Sequence, residues 1–194
     1  MQKFSYHTHT NALGIFDGHH SAAEMIRRAE EIGYEEIGIS NHLVYHPNLL
    51  TTSPMFFNDF DLLKKMMQKN VDDIRRAAEK ASIPVYAGFD ALPCKGVMWR
   101  NAFEKLTETL NADYYVGSFH FLCNADESRV YNMYHYKESG SPFTPEELAD
   151  AVRNYWRNVC LAAESGYFDF IAHLDVYKIF PDFAPLGTDE DKRA

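Results

Sequence analysis

Strand-like and helix-like patterns alternate along this sequence from residue 3 to about residue 175, which limits the fold more than any other feature. Residues 3–8 suit a short strand, and residues 11–18, with Gly14 and Gly18, read as a loop. Ser21-Ala22-Ala23-Glu24 has the spacing of a capping box. Behind it Met25, Ile26, Ala29 and Ile32 recur at helical spacing until Gly33. Residues 36–40 form an apolar strand, followed by a polar loop from Leu43 to about Asn58. A second helix is expected over 59–81, its apolar stripe made of Leu62, Leu63, Met66, Met67, Ile74, Ala77 and Ala78. A strand over 84–89, a helix over 98–110 and a strand over 113–118 follow. After a loop rich in Asn, Ser and Tyr, Thr144-Pro145-Glu146-Glu147 opens a helix that runs to Gly166, and 168–172 is the last strand. Strands joined by single helices imply an α/β fold with a parallel sheet and right-handed crossovers.

In such sheets and barrels the functional groups gather at the carboxyl ends of the strands. His7 and His9, two residues apart at a strand end, point to the same side of the backbone and can grip one metal ion. His42, Asp90, His120 and His173 each follow a strand-like run as well. A lone histidine at a strand end is ordinarily a polar loop residue. Five strand ends that all supply imidazole or carboxylate indicate one converging site. A set of imidazole and carboxylate without thiolate suits Zn, Mn or Fe. His46 and His135 have no strand before them and read as surface histidines. Cys94, Cys123 and Cys160 are odd in number and widely spaced, which fits small core residues of a reduced, cytoplasmic protein.

The bulk properties narrow the function classes. With 194 residues, 46% of them hydrophobic, the chain suits one domain over residues 1–194 with a sizeable core. A net charge of -9 argues against a nucleic-acid surface, and bound cations would offset part of it. No segment has the order of a signal peptide, and no apolar run is long enough for a bilayer, so no membrane partner is expected. The aromatic content of 14% lacks an accompanying basic stripe and is expected in core and pocket walls.

Five motifs carry a family resemblance: Tyr6-His7-Thr8-His9-Thr10, Ile39-Ser40-Asn41-His42, Gly88-Phe89-Asp90-Ala91, Gly117-Ser118-Phe119-His120-Phe121 and Phe170-Ile171-Ala172-His173-Leu174-Asp175. Together with Ser165-Gly166-Tyr167-Phe168-Asp169, they resemble the PHP (polymerase and histidinol phosphatase) superfamily, in its monofunctional histidinol-phosphatase branch. The resemblance implies a distorted (βα)7 barrel holding two or three divalent metals. It places His7, His9 and Asp90 on a first metal, lets Asp90 bridge to a second held by His120 and His173, and gives His42 a third. The loop partner of His42 would be Asp17 by spacing, with His19 or His20 as alternatives. Three departures stand out. Asp90 replaces a Glu, Asn41 replaces an Asp, and about five strands are expected where the family has seven, with a polar tail from Gly187 to Arg193. The barrel would then be incomplete, its edges open to a second copy or a partner chain.

The activity implied is hydrolysis of a small phosphate ester, L-histidinol phosphate foremost, by a metal-bound hydroxide. Asp175 and Ser118 are supporting or substrate-orienting candidates, and Arg129, Arg153 or Lys178 could meet the phosphate. The alternatives are another phosphate ester as substrate, such as a nucleotide, a sugar phosphate or a phosphotyrosyl peptide, or an inactive or partner-dependent fragment. A nucleic-acid-processing PHP domain is disfavoured by the acidic charge.

Overall fold

The structure is a computed structural model that describes residues 2–50, 56–94, 97–135 and 143–179. The polar tail from Gly187 to Arg193 lies outside them. Five strands form a parallel sheet in spatial order β1 (Phe4–Ser5), β2 (Glu36–Tyr45), β5 (Val85–Ala91), β6 (Tyr114–Gly117) and β9 (Phe170–Ile171). The sheet curls into a half barrel, the incomplete α/β barrel that the family resemblance implies. β3 (Leu49–Leu50), β7 (Phe121–Cys123) and β8 (Val130–Asn132) make a small second sheet, while β4 (Phe56–Phe57) pairs with the end of β2.

The helices start and stop where the local chemistry says they should. Helix α1 (Ala22–Glu31) begins at Ser21, whose Oγ accepts from the Glu24 amide while the Glu24 carboxylate accepts from the Ser21 amide at 2.8 Å. Helix α2 (Phe60–Ala78) is capped by Asp59, whose carboxylate accepts from the Leu62 amide at 2.9 Å. Helix α3 (Val97–Leu110) follows β5, and α4 (Pro145–Ser165) starts with the Thr144/Glu147 capping box and ends at Gly166, at a left-handed φ of 72°. The stripe of α2 differs from the expected one. Leu62 faces solvent, and Asn70 lies fully buried among Leu63, Met67, Val71 and Ile74.

Alternation along the strands divides the sheet into two faces. Ile37, Ile39 and Leu43 on β2 and Ala87, Phe89 and Ala91 on β5 pack against Ile26 and Ala29 of α1, Met67 and Ile74 of α2, and Phe103 and Leu106 of α3. The opposite face, inside the half barrel, carries Gly38, Ser40 and His42 on β2, Gly88 and Asp90 on β5, and Tyr114 and Val116 on β6. Tyr114 lies across the two glycines and donates its hydroxyl proton to the Tyr6 carbonyl at 2.7 Å. It thereby ties the floor of the half barrel to the residue just before His7. A second core forms where α4 packs on the hairpin, from Leu122, Tyr131, Met133, Val152 and Tyr155 among others.

Two expected features are corrected. The strand expected to stop at Ser40 runs on to Tyr45, and the one expected to stop at Phe89 runs to Ala91, so His42 and Asp90 sit inside strands. The run Ser40-Asn41-His42 reads as a strand end because it is polar, yet all three side chains are buried and the ladder continues through Leu43↔Ala91. The expected loop between residues 120 and 144 contains the β7–β8 hairpin, whose three-residue strands are too short for any period to show.

A Cβ at Gly88 would stand 2.6 Å from Tyr114 Cε2, and one at Gly38 would stand 2.7 Å from Tyr6 Cδ1. Gly88→Ala is therefore expected to cost about 1–3 kcal/mol of overpacking, read as a lower urea midpoint at unchanged m-value. An unchanged midpoint would show that Tyr114 does not need this space.

Candidate metal centre

The parallel register brings the site together. His42 and Asp90 are direct partners across β2 and β5, which sets His42 Nδ1 3.1 Å from Asp90 Oδ2. The same oxygen lies 3.3 Å from His7 Nε2, and 3.8 Å from both His9 Nε2 and His120 Nε2. Neighbouring ring centroids are 5.1 Å apart for His7 and His9, 4.4 Å for His9 and His42, and 4.8 Å for His42 and His120. His120 and His173 follow at 4.9 Å, and His173 returns to His7 at 5.2 Å. Five imidazoles thus close a ring around one carboxylate that is 0% exposed.

Asp17 reaches this ring from the loop after β1. Its carboxylate is 3.7 Å from His9 Nδ1 and 3.4 Å from His42 Nε2. Gly18 permits the approach, since a Cβ there would stand 2.5 Å from the His9 carbonyl oxygen. His19 and His20, the alternatives to Asp17, instead accept hydrogen bonds from Asn11 through their carbonyls. His173 is held at a left-handed φ of 29°, a strained conformation of the kind that clusters at functional sites. Its Nε2 lies 3.2 Å from Ser118 Oγ, so Ser118 supports the ring.

Asn41 does the work of a buried brace. Its Oδ1 accepts from the Thr10 amide at 2.8 Å, and its Nδ2 donates to Thr10 Oγ1 and to Asn70 Oδ1, each at 2.8 Å. This explains the polar residue in the α2 stripe. It also fixes the chain just after His7 and His9 against β2. An Asp in place of Asn41 would lose the donor that this arrangement uses.

Burial alone would push the Asp90 carboxyl up. The imidazoles of His120, His42 and His7 outweigh it and hold Asp90 well below the usual carboxylate range. His42 shows the reverse balance, because burial disfavours its charge but Asp17 and Asp90 bring it up to about 9. The hydrogen bond to His42 brings Asp17 down to about 2. Burial, reinforced by neighbouring imidazoles, takes His9 down to about 4 and His120 to about 3.

The residues fit divalent metal. Among the described residues, no donor meets either oxygen of the buried Asp90 in hydrogen-bond geometry, although imidazole nitrogens stand as close as 3.1 Å. Two donors about 2.1 Å from a tetrahedral zinc lie roughly 3.4 Å apart, within the range seen around Asp90 Oδ2. Ligand atoms lie within 4.8 Å of one another in three overlapping groups: His7, Asp90 and His173; His42, Asp90 and His120; His9, Asp17 and His42. This division differs from the one the family resemblance implied, since His9 falls with Asp17 and His173 falls with His7.

Other expected residues make ion pairs of their own. Asp175 is exposed, 3.7 Å from Lys178 Nζ, and is absent from the donor groups. Arg129 pairs with Glu147 at 2.7 Å and covers the Phe143 ring, and Arg153 pairs with Asp150. The phosphate candidates Arg129, Arg153 and Lys178 are thus each paired with a carboxylate. His46 is buried, contrary to its surface reading, and the side chain of His135 lies outside what the structure describes. Among the cysteines Cys123 is buried, Cys94 packs beside it and Cys160 is exposed, so the core reading fails for Cys160.

Asn41→Ala is expected to weaken divalent-metal binding by about 10–100-fold, the range for residues that orient ligands. Isothermal titration with zinc reads this directly, and an unchanged affinity would reduce Asn41 to a packing role.

Comparison with known proteins places this geometry. The family model described as PHP domain matches residues 5–193. A candidate histidinol phosphatase, HisK, from Listeria monocytogenes superposes with a TM-score of 0.59 at 19% identity, covering 91% of this chain and 64% of that one. The histidinol phosphate phosphatase of Lactococcus lactis subsp. lactis, solved with zinc, L-histidinol and phosphate, gives 0.52 at 15% identity, covering 91% and 59%. The chain thus spans less than two thirds of either protein's length. No curated protein matches the sequence. No described helix is long and apolar enough to cross a membrane. A model matched over nearly every residue, including His7, His9, His42, Asp90, His120 and His173, shows that this chain belongs to the PHP domain family.

Proposed function

We propose that this chain is a metal-dependent phosphomonoesterase whose substrate is L-histidinol phosphate. The observation that carries the reading is the ring of five imidazoles around one fully buried carboxylate, at the carboxyl end of a parallel sheet. His7, His9, Asp17, His42, Asp90, His120 and His173 would hold two or three divalent ions of the zinc, manganese or iron class. Such ions supply Lewis acidity that lowers the pKa of water and neutralises phosphoryl oxygens.

The protein's own part is positioning. Asp90, at the floor, spans several imidazoles and fixes the spacing between them. His7, His9 and His173 are the more open members of the ring and face the approach of substrate. Tyr134 flanks the mouth, half-exposed, with its ring 6.2 Å from that of His120. Burial raises the pKa of its phenol, and the charges of Asp17 and Asp90 raise it further, as expected for a hydroxyl close to both. A flat aromatic wall beside a phosphate-binding centre suits a substrate that carries an imidazole. The structural likeness to a protein solved with histidinol and phosphate supports the same substrate class.

The test is phosphate release from L-histidinol phosphate by zinc-, manganese- or iron-loaded protein, against a panel of nucleotides, sugar phosphates and phosphotyrosyl peptides. Chelation is expected to abolish turnover. Asp90→Asn should lower kcat/KM by at least about 100-fold, more than loss of a merely supporting residue. Faster hydrolysis of another panel member would overturn the substrate, and hydrolysis of none would overturn the activity.

A further inference from the structure

The strands that build the first centre present a second set of donor side chains one step further along. His46 follows His42 just beyond β2, Cys94 follows Asp90 just beyond β5, and Glu127 follows His120 in the β7–β8 turn. One ligand atom from each of His46, Cys94 and Glu127 lies within 4.8 Å of the others. None of the three belongs to the imidazole ring.

Burial here is unusual for such residues. His46 and Glu127 are each 4% exposed, and Cys94 is partly buried, beside Val44, Leu49, Leu92, Phe121 and Val130. A glutamate at a hairpin tip ordinarily points to solvent. Glu127 instead adopts a left-handed φ of 57°, a conformation costly for a residue with a Cβ. Its carbonyl accepts from Asn48 Nδ2 at 3.0 Å and its amide donates to the Asn124 carbonyl at 3.0 Å. The turn is thus held with the carboxylate directed inward, 3.6 Å from His46 Nε2.

We propose that His46, Cys94 and Glu127 form a second, separate site for one divalent ion of the zinc class. Thiolate, imidazole and carboxylate are all zinc donors, and three protein ligands leave a fourth position for water. The sulfur makes this site softer than the nitrogen and oxygen centre beside it. Burial and the charge of Glu127 keep the Cys94 thiol protonated, and a bound cation reverses that preference.

The proton balance is defined. His46 Nδ1 accepts from the Asn48 amide at 3.1 Å, so the metal-free imidazole carries its proton on Nε2, toward Glu127. Zinc takes the place of that proton, the ring proton moves to Nδ1, and the Asn48 amide turns away. Cys94 loses its thiol proton to solvent. One proton is released for each ion bound, and the giving up of the Asn48 contact sets the tautomer change that accompanies binding.

Cobalt(II), a spectroscopic substitute for zinc, separates the two sites because only this one holds a thiolate. Added to the metal-free full chain, it should produce a near-ultraviolet thiolate-to-cobalt charge-transfer band that saturates at one equivalent of sulfur-bound metal. Cys94→Ser should remove the band and Glu127→Gln should weaken binding at least about tenfold. His120→Ala, in the first centre, and Cys160→Ser should leave it in place. No band in folded wild-type protein at saturating cobalt, or a band that survives Cys94→Ser, overturns the proposal. Should Cys94→Ser fail to fold, nitrogen NMR of His46 in the wild type decides. A ring proton that stays on Nε2 at saturating zinc also overturns it. Neither readout depends on phosphatase activity, so loss of the phosphatase reading leaves this site standing or falling by itself.

Discussion

A carboxylate with no exposure to water is the constraint that the rest of the described structure answers. An isolated charge in that position would cost several kcal/mol of lost solvation. Imidazoles from four segments surround Asp90, His7 and His9 sharing one of them, and they hold its carboxyl well below the usual carboxylate range against the effect of burial. The parallel sheet is what makes such convergence possible, since it places all its carboxyl ends on one side. Sheet geometry and site chemistry are therefore one problem here. A register slip of β2 against β5 would move His42 away from Asp90 and turn it to the other face.

The layers behind the ring show how this arrangement is held. On one side Asn41 joins the loop after β1 to helix α2 through Thr10 and Asn70, in a network closed to water. On the other, Tyr114 fills the half barrel only because Gly38 and Gly88 leave room for its ring. One support is polar and directional, the other steric. Both act on the segment that carries His7 and His9, through the Thr10 amide and the Tyr6 carbonyl. A two-residue strand with little ladder of its own depends on such braces.

Much of this was readable in advance. Capping boxes at Ser21 and Thr144 fall where side-chain spacing puts them, because capping is a local interaction between residues three apart. The order of strands and helices follows from periodicity, and the approach of His7, His9, His42, Asp90, His120 and His173 follows from the strand-end rule. Less readable were features whose cause lies far along the chain. Asn70 is buried in the α2 stripe because its partner is Asn41, twenty-nine residues earlier. The length of β2 was hidden by polar residues that a neighbouring strand and helix satisfy. His46 looked like a surface residue because nothing near it in sequence shows that Glu127 folds back on it.

The sequence by itself determined the main helices and strands, their parallel arrangement and the donor residues, since these rest on local propensity, capping and period, but not the β7–β8 hairpin or the full lengths of β2 and β5. Tertiary structure decided which donors share a neighbourhood, that the Asp17 carboxylate comes within 3.4 Å of His42, and that Asp175 faces Lys178. It also decided how the groups of the centre shift. Burial lowers His42 but Asp17 and Asp90 outweigh it, while burial prevails at His120, and these surroundings exist only once the chain is folded.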